Sequence, residues 1–250
     1  MIFLINKEKA TDNVILFLHL PKCAGTTFQR IISNQKRYSP DFCIQRGGEI
    51  VDLPAGEENR LEVLYGHMLF GVHNKLPQKN VTYITFLRNP VARVISFFYY
   101  LQSENNVGIE VRDWFRTMTL FDYVSDEKFN CSEDLFPESW TIATDNAQTR
   151  ILAGTMEADL DTAKNNLKKY FSIVGITERF EESLRIVEKN LGWEINSYEN
   201  ANVTPYKPPL EDIPDNIIEI IKLKNEKDTA LYQFANQLLD EQLNQYKNKI

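Results

Sequence analysis

The chain has 250 residues, 43% of them hydrophobic, with 35 acidic against 28 basic side chains and a formal net charge of −7. That apolar content is ample for a packed core, while the acidic balance excludes a protein that works by broad electrostatic attachment to nucleic acid. It leaves room for a small anionic ligand held by a few converging donors, although a heavily charged polyanionic partner would meet long-range repulsion.

The first element is the apolar run Val14-Ile-Leu-Phe-Leu-His-Leu20, expected to be a buried strand. It runs into Pro21-Lys-Cys-Ala-Gly-Thr-Thr27 and then Phe28-Gln-Arg-Ile-Ile32, a small-residue turn that opens a helix. Such a turn suits an anion. Gly25 is expected to let the main chain approach the ligand, Thr26 and Thr27 supply hydroxyls, and the amides from Cys23 and Ala24 onward sit where a helix start leaves N–H groups unpaired. The helix dipole and the Lys22 ammonium act in the same direction. Cys23 is expected to be a small filler whose amide faces the anion.

The segment from Tyr38 to Arg60 is rich in Pro, Gly and charge and is expected to be irregular. After Tyr65-Gly-His-Met-Leu-Phe70 comes a second β-rich run, Val81 to Leu87, followed by Arg88-Asn-Pro-Val-Ala-Arg-Val-Ile-Ser96 and the aromatic cluster Phe97 to Tyr100. Pro90 suits a first helical turn, leaving Arg88 at the strand's carboxyl end and Ser96 about two turns along, so that both can face one phosphate. Glu110 to Tyr123 has the apolar spacing of one amphipathic helix, and Ser125 to Asp145 has no clear period. A helix is expected over Asp159 to Tyr170, a strand over Ser172 to Ile176, and a helix over Phe180 to Leu191 ended by Gly192. Pro214 to Gln245 should be helical, with a break near Lys224 and an apolar face of Leu231, Phe234, Leu238 and Leu239. His19 is expected to be structural or a pocket wall, and His73 to lie at the surface.

Spacing separates the loops that resemble the first motif. A Walker loop needs an opening Gly and its Lys after the second Gly, whereas Lys22 precedes Gly25. A cysteine-phosphatase loop places its Arg one position closer to its Cys than Arg30 stands to Cys23. His19-Leu-Pro-Lys-Cys-Ala-Gly-Thr-Thr27 resembles instead the 5′-phosphosulfate loop of sulfotransferases that use 3′-phosphoadenosine 5′-phosphosulfate (PAPS), and Arg88 to Ser96 resembles their 3′-phosphate motif. The Gly-His segment at Gly66-His67 is similar to the branch containing the heparan and dermatan 2-O-sulfotransferases and their bacterial relatives. Asp145 to Arg150, Phe171 to Phe180 and Asn202 to Lys207 have counterparts there too.

The resemblance implies an α/β, P-loop-like fold with a central parallel sheet flanked by helices, formed as a single domain over residues 1–250. It implies PAPS as co-substrate, adenosine 3′,5′-bisphosphate as product, no metal requirement, and a hydroxylated acceptor, expected to be a carbohydrate. His67 would be the catalytic base, with Tyr65 standing where the heparan enzymes carry a second histidine. Lys22 would serve the leaving group. Pro21, Lys22, Cys23, Ala24, Gly25, Thr26, Thr27, Arg88, Ser96, Thr204 and Lys207 would bind the nucleotide. Gln148 and Arg150 would either orient the acceptor or tie down a loop.

Two rivals stay open on the sequence, an ATP-dependent kinase needing magnesium and an acidic ligand near the loop, and a non-catalytic nucleotide-binding protein. Three cysteines, Cys23, Cys43 and Cys131, cannot all pair and lack metal-ligand spacing, which fits a reducing compartment. The first apolar run is too short to span a membrane and the first thirteen residues lack a signal-peptide pattern, so a soluble cytoplasmic enzyme, of bacterial origin, is expected.

Overall fold

A computed structural model of the chain describes residues 13–35, 43–44, 62–76, 80–103, 108–129, 144–199 and 207–247. Its centre is a sheet of five parallel strands, β1 (Asn13–Leu18), β2 (Cys43–Ile44), β3 (Val63–Gly66), β4 (Asn80–Leu87) and β5 (Phe171–Ile176), in the order β2-β3-β1-β4-β5. Val14 to Leu20 are buried without alternation, as a strand covered on both faces must be. The three runs read as strands are strands. The short β2 and β3 were not expected as strands.

The helices are α1 (Gly25–Asn34), α2 (Pro90–Leu101), α3 (Ile109–Arg116), α4 (Leu120–Ser125), α5 (Ala147–Ala153), α6 (Leu160–Tyr170), α7 (Phe180–Leu191), α8 (Asp215–Lys224) and α9 (Glu226–Lys247). The single helix expected over 110–123 is two, because Thr119 and Asp122 form a capping box that starts a new helix. Asn225 makes the break expected near Lys224. Gly192 ends α7 in the left-handed conformation, at φ 66°.

Apolar side chains gather in two clusters. One surrounds the sheet, where Leu231, Ala235 and Leu239 of α9 are completely buried. The other joins α2, α3, α4 and α8 around Phe98, Phe115, Tyr123 and Ile221. Because the chain runs from β1 to one side of the sheet and returns to β4 on the other, the carboxyl ends of β1 and β4 border the switch point where parallel sheets bind ligands.

Candidate active site

Three strand ends supply the site. β1 leads into His19 to Lys22, β3 into His67, and β4 into Arg88. The turn before α1 is tight because Lys22 and Ala24 take left-handed backbone at φ 65° and 58°, with Ala24 as the N-cap. No side chain caps α1 and its first turn holds no acidic residue, so the positive end of the helix is left for a ligand.

Gly25 has a different purpose from the expected one. A Cβ there would lie 1.8 Å from Cδ2 and 1.9 Å from Nε2 of His19, so the space a side chain would need is filled by the buried His19 ring and not by a ligand.

The two anion-binding motifs are joined. Arg88 Nη1 donates to the Lys22 carbonyl at 2.9 Å, and the buried Arg88 Nε has no hydrogen-bond partner, its nearest carboxylate oxygen on Glu178 being 3.9 Å away. An orphaned charged donor in a half-buried site is costly until an anion meets it. The backbone of Arg88 is held just as firmly. Gln148 Oε1 accepts its N–H at 3.0 Å, and Gln148 Nε2 donates to its carbonyl at 2.9 Å. The amides of Gln148 and Thr149 in turn donate to Asp228, which is wholly buried.

The Lys22 ammonium sits 3.8 Å over the Tyr100 ring. Burial first, then the neighbouring Arg88, push its pKa down to about 8, with Lys207 adding to the effect. Lys207 is lowered as well, by burial and by Arg88. Two lysines lowered by burial and by the same arginine mark a site short of negative charge. Ser96 lies on the buried side of α2, and Thr204 falls outside the described residues.

Cys23 is completely enclosed, its Sγ 3.6 Å from both the Pro21 carbonyl and Gln148 Oε1. Burial pushes the thiol up to about 12, which keeps it protonated and unsuited to nucleophilic attack.

His67 follows β3 directly. Its Nδ1 is 2.8 Å from the His19 carbonyl oxygen, and since a carbonyl only accepts, Nδ1 carries the proton and the lone pair of the neutral ring is on Nε2. The two imidazoles are in contact, with centroids 4.2 Å apart and planes 30° apart.

Of the two acceptor candidates, Gln148 is 1% exposed and its amide is spent on Arg88, while Arg150 pairs with Asp145 and donates to the Met156 carbonyl. Both tie down structure, the second of the two expected roles. His73 is likewise engaged, its Nδ1 bonded to the Tyr83 hydroxyl at 2.9 Å, where a surface position was expected. Glu178 joins the site unforeseen, and Tyr100 is the member of the aromatic cluster that reaches it. Glu178 accepts from the Asn89 amide at 3.1 Å and from the Tyr232 hydroxyl at 3.2 Å, which holds it beside Arg88.

Residues 9–235 match a family model described as "Sulfotransferase family". Heparan sulfate 2-O-sulfotransferase 1 of Homo sapiens is 22% identical over 74% of this chain and 56% of its own length, so the chain spans little more than half of that relative. Heparan-sulfate 6-O-sulfotransferase 2 of Gallus gallus is 26% identical over 91% of this chain and 67% of its own. Among solved structures, mouse sulfotransferase SULT7A1 complexed with PAP aligns with 86% of this chain and 65% of that one at 14% identity and a TM-score of 0.44.

Proposed function

Because the chain belongs to the sulfotransferase family, we propose that it transfers a sulfuryl group from PAPS to an acceptor hydroxyl on a sugar or glycan. The observation that carries this reading is the meeting of an anion site short of negative charge with a histidine whose neutral ring has its lone pair on Nε2. The names of the relatives, heparan sulfate sulfotransferases, support a carbohydrate acceptor.

The site fits this co-substrate, as Arg88 Nε is a buried charged donor without a hydrogen-bond partner and α1 begins with no side-chain cap. The loop from Pro21 to Thr27 would hold the 5′-phosphosulfate through Lys22 and the amides from Ala24 onward, because the Cys23 amide, expected to face the anion, donates to the Leu20 carbonyl at 3.2 Å. Arg88 and Ser96 would hold the 3′-phosphate, with Thr204 and Lys207 closing over the nucleotide. The co-substrate supplies a sulfuryl group activated by its bond to phosphate. His67 Nε2 takes the hydroxyl proton as the acceptor oxygen bonds to sulfur. The bond from sulfur to the bridging oxygen breaks, and Lys22 with the loop amides meets the charge left on the phosphate of adenosine 3′,5′-bisphosphate.

Labelled PAPS incubated with a panel of hydroxylated saccharides tests the reading. Transfer of label to a saccharide supports it. Absence of transfer from PAPS, with transfer from γ-labelled ATP and magnesium, would replace it with a kinase.

The lowered Lys22 gives a pH signature. The free protein loses this ammonium as pH rises through about 8, whereas a bound phosphate favours the charged form and raises its pKa. Adenosine 3′,5′-bisphosphate should therefore bind with more proton uptake near pH 8.5, where Lys22 contributes, than near pH 6.5, where it does not, and its affinity should fall as pH rises through 8. Calorimetry in buffers of different ionisation enthalpy measures the uptake.

A further inference from the structure

His19 opens the segment that resembles the 5′-phosphosulfate loop and lies between the anion-binding turn and His67. His19 is 7% exposed, with its ring against Gly25, where a Cβ would collide with it, and tilted 30° to the His67 ring at a centroid distance of 4.2 Å. Phe17 stacks on it, with centroids 5.5 Å apart and planes 14° apart. Gln29 Nε2 lies 3.2 Å from His19 Nδ1, so the amide donates, Nδ1 accepts, and the ring proton is on Nε2. Its backbone is equally committed. The His19 amide donates to the Gly66 carbonyl at 2.9 Å, and its own carbonyl accepts from His67 Nδ1 at 2.8 Å.

From this geometry we propose that His19 is a positioning residue that couples the anion-binding loop to the base. Its carbonyl fixes the His67 tautomer, and its ring, braced by Gly25, Phe17 and Gln29, fixes the plane of the His67 imidazole. The inference rests on the reading of His67 as the general base. In acid–base triads a carboxylate orients the histidine and stabilises the imidazolium that forms. Here a main-chain carbonyl and a packed neutral ring take that part. Burial, with the nearby His67 and Lys22, holds His19 well below the ordinary histidine range, so the supporting ring stays uncharged as His67 gains its proton.

Two measurements test this. The first needs no turnover: nitrogen NMR of the protein labelled in its histidine rings should find His67 protonated on Nδ1 and His19 on Nε2. His67 protonated on Nε2 in the parent would overturn the proposal, whatever the protein's activity. The second is kinetic. His19→Ala should lower kcat about tenfold or more, with affinity for adenosine 3′,5′-bisphosphate within about twofold of the parent. His19→Phe, which keeps a stacked ring but no ring nitrogen, should recover kcat to within about threefold. Gln29→Leu leaves His19 in place and serves if the alanine variant does not fold; it should lower kcat severalfold at unchanged nucleotide affinity. Parental kcat in the alanine or leucine variant would overturn the proposal. A His19→Phe protein that folds, binds nucleotide and is as inactive as His67→Ala would do the same and make His19 itself the proton carrier. A parent with the expected tautomers but no sulfuryl transfer would fault the functional reading and leave the tautomer assignment standing.

Discussion

His67→Ala is expected to lower kcat on the order of a hundredfold or more while leaving nucleotide affinity close to that of the parent. The lone pair on Nε2 is set by the bond from Nδ1 to the His19 carbonyl, so alanine removes the proton acceptor but none of the loop amides and neither Lys22 nor Arg88. The parental rate should rise with pH along a limb set by one imidazole, because His19 is held neutral and Tyr65 stands where the heparan enzymes carry their second histidine. That limb should vanish in the variant. Steady-state rates across pH, together with calorimetry of the product nucleotide, read both effects. Near-parental turnover would move the search for a base to the carboxylates, with Glu62, just before β3 and the nearest in sequence, the first to test.

Lys22→Ala is the second large effect, about a hundredfold in kcat with a smaller loss in product affinity. Its ammonium matters most when the bridging oxygen becomes negative, and removing one preorganised donor at a developing anion typically costs about a hundredfold or more. Alanine is the right replacement because residue 22 has φ 65°. Alanine keeps the left-handed strain that lysine already bears, whereas glycine would relieve about 1 to 2 kcal/mol and confuse loss of charge with gain of stability. Unchanged turnover at saturating donor would remove Lys22 from the leaving-group role.

How much of this was legible in the sequence follows from where the determining contacts lie. β1, β4 and β5 announce themselves as apolar runs, since strands buried on both faces show no alternation. β3 has four residues and β2 two, too few for any period to emerge, and both are specified by pairing with their neighbours. The split between α3 and α4 was written in Thr119 and Asp122, but the apolar spacing continues across it and hides the cap. In the candidate site, Lys22 and Arg88 belong to local motifs and could be proposed from them, and His67 could be proposed through the resemblance of its Gly-His segment. What local patterns do not carry is the tertiary bracing. Gln148 grips the Arg88 backbone across 60 positions, Glu178 reaches Asn89 across 89, and His19 meets His67 across 48. Gly25 is the instructive case, because its type was noticed and its reason mistaken. The sequence shows a missing side chain, and only the packed structure shows that His19 fills the space.

The most direct test of the central claim is calorimetry comparing adenosine 3′,5′-bisphosphate with adenosine 5′-monophosphate, because it depends on the two phosphate sites alone and on no choice of acceptor. Arg88 carries a buried donor without a partner, and a charge-assisted hydrogen bond contributes about 1.5 to 3 kcal/mol. The bisphosphate should therefore bind roughly tenfold more tightly or better. Equal affinities for the two nucleotides would contradict the 3′-phosphate site, and with it the assignment of PAPS as donor.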